Sequence, residues 1–69
     1  MSLRTQMLES LKSHATGKIN FHKMNVEVYL VNPAGIGEHS DVMEAIEHEL
    51  GQISKYHDQL EVLESYFGE

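Results

Sequence analysis

The chain has no cysteine and no tryptophan, one proline, and only five lysines and arginines in 69 residues. Without cysteine there is no disulfide framework, no thiolate zinc site and no cysteine nucleophile. A single proline, Pro33, leaves long stretches free of helix breakers. No run approaches the roughly 20 apolar residues of a membrane span. The basic start and apolar run of a signal peptide are also missing, so a soluble, cytoplasmic protein is expected. Met1-Ser2-Leu3 has the look of a vector-derived start, and Ser2 and Leu3 are given little weight.

What is present is 41% hydrophobic and net acidic, at −6. The charge is unevenly spread. Residues 1–31 carry Arg4, Lys12, Lys18 and Lys23 against Glu9 and Glu27, for +2. Residues 32–69 carry Lys55 against nine carboxylates, for −8. Two such halves attract when packed side by side. The acidic total argues against nonspecific binding to nucleic acid or an anionic membrane. A single domain of this size has a marginal core and usually needs a partner subunit, a metal or cross-links.

The segment Asn32-Pro33-Ala34-Gly35-Ile36-Gly37-Glu38-His39-Ser40 punctuates the chain. A helix should end near Asn32 and another begin at Ser40 or Asp41. Asp41 and Glu44 have capping-box spacing; alternatively Ser40 is the cap, and both acids favour the positive helix end. Val42, Ile46, Leu50, Ile53, Leu60, Leu63 and Phe67 then form a stripe with helical period over 41–67. In the first half Leu8, Leu11, Ala15, Ile19, His22 and Val26 keep a helical period across Gly17. Met24 to Val31 also reads as a strand, but no second strand exists to pair with it. The expectation is therefore all-α: one domain, residues 1–69, with helices over about 3–31 and 41–67 joined by a loop at 32–40.

Such an αα-hairpin pairs positions whose numbers sum to about 72, setting Gly51 near Phe21 and Gly17 near Tyr56. Each glycine is then expected to make room for a ring. Phe21, Met24, Val28, Met43, Val62 and Tyr66 fall beside the main stripes. They are the candidate self-association residues, and a two-fold dimer forming a four-helix bundle is expected.

The chemical motifs are weak. His14, His22, His39, His48 and His57 include no His-x-x-x-His and no Glu-x-x-His. His48 is four after Glu44, a spacing at which both could hold one cation. Solvated or hydrogen-bonded histidines are the expectation, with an interfacial cluster titrating near pH 6 as the alternative. Gly35-Ile36-Gly37 lacks the Lys-Ser/Thr of a phosphate loop. No catalytic set, cofactor or metal is expected. Asn32, Pro33, Gly35, Ile36, Gly37, Glu38 and His39 form the candidate interaction loop, with Ile36 as its apolar anchor. Lys12, Lys18 and Lys23 give a second functional possibility, a nucleic-acid accessory using the first helix.

The runs Asn25-Val26-Glu27-Val28-Tyr29-Leu30, Asn32 to Asp41, Glu44-Ala45-Ile46-Glu47 and Leu60 to Phe67 resemble small proteins of T4-like marine phages, cyanophages especially. The similarity spans nearly the whole chain. That family carries no assigned activity. The resemblance implies a phage or marine metagenomic origin and synthesis in a bacterial host cytoplasm. It implies no site residues.

Overall fold

Helix α1 spans Leu3–Val31 and helix α2 spans His39–Phe67 in the computed structural model, which describes residues 2–32 and 39–68. Ser2 starts α1: its hydroxyl accepts from the Thr5 amide at 3.1 Å, satisfying one of the orphan donors of the first turn. The residue set aside at the sequence level is thus the helix cap. Asn32 ends α1 and its amide donates to the Val28 carbonyl at 3.0 Å. Pro33 follows, and proline disfavours helix in the residue before it. Residues 24–31 are helix, so the strand alternative is excluded.

Helix α2 begins at His39, earlier than expected. Asp41 therefore lies in the first helical turn and is not the cap. Its charge favours the positive helix end, which is the second of the two expected roles.

The two helices run antiparallel and pack along their whole length, giving a rod of 50 × 18 × 12 Å. Both are long enough to fill it, at about 1.5 Å per residue. A row of buried and half-buried side chains runs down α1 through Thr5, Leu8, Lys12, Ala15, Ile19, His22, Val26 and Tyr29. A matching row on α2 runs through Val42, Ile46, Glu49, Ile53, Tyr56, Leu60 and Leu63, and Lys18, Asn25, Ala45 and Gln52 are half-buried beside the rows. The steps of each row alternate three and four. That is a heptad seam, the spacing of coiled-coil packing.

Two expectations need correction here. Leu11 and Leu50 are not seam residues: they are 53% and 50% exposed. Lys12 and Glu49 stand in their places, because the alternating steps of the other seam residues fix the phase and put each leucine one position off. Nor do the glycines make room for rings. A Cβ at Gly17 or Gly51 meets nothing within 4 Å, so both face outward. The Tyr56 ring instead lies edge-on to His14 at 5.8 Å and stacked against His22 at 6.5 Å.

Candidate functional site

The seam holds one polar cluster. Glu49 is only 7% exposed, an expensive place for a carboxylate unless it is paired. Its Oε1 accepts from His22 Nδ1 at 2.8 Å and from Asn25 Nδ2 at 2.6 Å. An ionised carboxylate only accepts, so His22 donates to it from an Nδ1–H. These two hydrogen bonds, His22 first, hold the Glu49 carboxyl below its ordinary value of 4.5 against the opposing effect of burial. The His22 ring is also edge-on to Phe21 at 5.0 Å. No buried side-chain nitrogen or oxygen among the described residues lacks a partner. The cluster thus fixes one register of α1 on α2. Sequence reading placed His22 in the stripe but missed Glu49 and Asn25; the signal for Glu49 was its place seven residues from Val42 and from Tyr56.

The seam divides the surface into two broad faces. On the front, Leu11 and His14 of α1 meet Gln59 and Val62 of α2 across a shallow groove edged by Asp58. On the back, Thr16 meets His57, Glu61 and Glu64. Stepping by seven from these residues extends each face along the rod. Arg4, Lys18 and Lys55 fall on the front, where Lys18 lies 5.7 Å over the Phe21 ring and Lys55 lies 5.1 Å over the Tyr56 ring. Glu9, Lys23, Glu47, Glu61 and Glu64 fall on the back. Lys12 reaches Glu64 at 3.5 Å, an exposed inter-helix ion pair worth about 0–1 kcal/mol. His57 lies 3.6 Å from Glu61 on its own helix.

All six candidate self-association residues are exposed, from Val62 at 40% to Tyr66 at 76%. They do not share one surface. Phe21, Val28, Val62 and Tyr66 belong to the front, Met24 to the outer edge of α1, and Met43 to the back. Of the candidate interaction loop, Asn32 caps α1 and His39 opens α2. Pro33, Gly35, Ile36, Gly37 and Glu38 lie outside the described residues.

Among the described residues no group of three or more His, Asp or Glu side chains is placed to hold a metal ion. No helix among them is long and apolar enough to cross a membrane. No family model matches the chain, and no curated protein or solved structure matches it.

Proposed function

We propose that this is a non-enzymatic helical-hairpin protein that self-associates into a four-helix dimer and acts through protein–protein contact. The observation that carries the proposal is the balance of apolar surface. Among the described residues only Ala15 and Val42 are buried apolar side chains, whereas thirteen large ones are 40% to 79% exposed. Large contiguous apolar patches on soluble chains mark association surfaces. A second hairpin is the simplest cover, because a two-fold dimer buries the same patch on both copies.

The resemblance to small proteins of T4-like marine phages supports a phage origin and a bacterial host cytoplasm as the place of action. Within that setting the roles in view are an accessory of virion assembly or a modulator of a host protein. Light scattering tests the association. Twice the mass of the 7.9 kDa chain is expected at micromolar concentration. A helical species of single-chain mass at every concentration overturns the proposal.

The alternative, a nucleic-acid accessory, is favoured by the location of Arg4, Lys18 and Lys55 together with Phe21 and Tyr66 on one face. It draws on both helices, not on the first alone. It predicts oligonucleotide binding that weakens steeply with salt.

A further inference from the structure

We infer that the front face, carrying Met7, Leu11, Phe21, Val28, Val62 and Tyr66, is the surface on which a second copy of this chain packs. The inference rests on the self-association proposed above and names the face that mediates it.

Area is the first argument. The chain exposes 5222 Å². A compact monomer of 7.9 kDa exposes about 4,400 Å² by the usual size scaling. The excess, about 800 Å², equals one partner's share of a standard interface, ~800 Å². One broad side of a rod 50 Å long and 18 Å wide is large enough to supply it.

Apolar distribution is the second. The six residues lie toward both ends of the front, on both helices, so covering them requires an elongated partner of the same length. Exposed apolar groups on the back, Leu30, Met43 and Leu50, all lie in the half of the rod nearer the loop.

Charge is the third. Two copies of a −6 chain repel, and pairing their backs would bring eight carboxylates together against two copies of Lys23. The front holds Asp41 at the loop end and Asp58 at the groove edge. Its three cations sit on long stems: Lys18 and Lys55 already lie over rings, and such side chains keep their charge in water while their stems pack.

Leu11 and Leu50 give a matched test. In the single chain they are 53% and 50% exposed, one on the front and one on the back. The protein has no cysteine, so Leu11→Cys and Leu50→Cys each present one thiol. Their reaction rates with a disulfide reagent are measured in native protein and normalised to the rates in urea. The same samples are weighed by light scattering, with and without a single-stranded oligonucleotide at low salt.

The expected result is a two-chain particle in which the Leu11→Cys thiol reacts at least tenfold more slowly than the Leu50→Cys thiol. A two-chain particle with equal rates, or with Leu50→Cys the slower, overturns the choice of face and leaves self-association standing. A single-chain particle at all concentrations overturns both. A single-chain particle whose Leu11→Cys thiol is protected only by the oligonucleotide assigns the front to nucleic acid and also overturns the inference.

Discussion

Glu49 concentrates the energetics of single residues in this fold. Its carboxylate is sequestered and held by two donors, so removing either leaves a buried charge short of a partner. His22→Ala is expected to cost about 1.5–3 kcal/mol of unfolding free energy, the range for a hydrogen bond to a charged group. Chemical denaturation followed by circular dichroism measures it. A change smaller than about 0.5 kcal/mol, the low end for any hydrogen bond, would show that the pair is solvated. The pH dependence follows from the same geometry. The Glu49 carboxyl is lowered in the folded chain, so ionised Glu49 stabilises the fold above its ordinary value of 4.5. That contribution falls away as pH drops through the lower value of the folded state. The melting-temperature gap between the natural chain and Glu49→Gln should therefore be widest near pH 6–7 and close towards pH 3. A gap that widens on acidification contradicts this.

At the scale of the element, both glycines are departures from good helix sequence with no packing reason. A Cβ at either meets open space, and alanine is about 1 kcal/mol better than glycine in a helix interior. Gly17→Ala and Gly51→Ala should each raise the melting temperature by about 4–8 °C, the shift for ~1 kcal/mol in a domain of this size. A fall in either would mean that the glycine is needed for a close approach. The helices themselves were legible because their apolar periodicity continues across both glycines and stops at Asn32, before Pro33. The seam was legible only in part. Choosing apolar residues at each turn selects Leu11 and Leu50, whereas the alternating three and four steps of the other positions select Lys12 and Glu49. Apolar identity is a local signal; the phase of a seam belongs to the whole helix. A carboxylate at a seam position becomes intelligible only with its partners, and His22 and Asn25 stand 27 and 24 residues away on the other helix. The two faces were hidden for the same reason: Met43 and Met24 look equivalent to Phe21 until the seam assigns each to a side.

For the whole molecule, a seam with so few fully buried apolar residues ties folding to association. If folded chains are dimers, unfolding releases two chains, and the melting temperature must climb with protein concentration. A tenfold increase changes the free energy of a dimer by about 1.4 kcal/mol, or about 0.7 kcal/mol per chain. Unfolding entropy for 69 residues is about 145 cal/mol/K per chain at the usual ~2.1 cal/mol/K per residue. The expected shift is therefore about 5 °C for each tenfold in concentration. Thermal scans across a hundredfold range of concentration span two such steps, about 10 °C in all. The front and back make separate forecasts in the same experiment. Val62→Glu places a carboxylate on the face assigned to the partner and should abolish the concentration dependence along with part of the stability. Met43→Glu adds one to the back and should leave the slope unchanged, because that face stays in water in the dimer. A melting temperature independent of concentration in the natural chain would show that the narrow seam, with its Glu49 cluster, holds two helices together unaided.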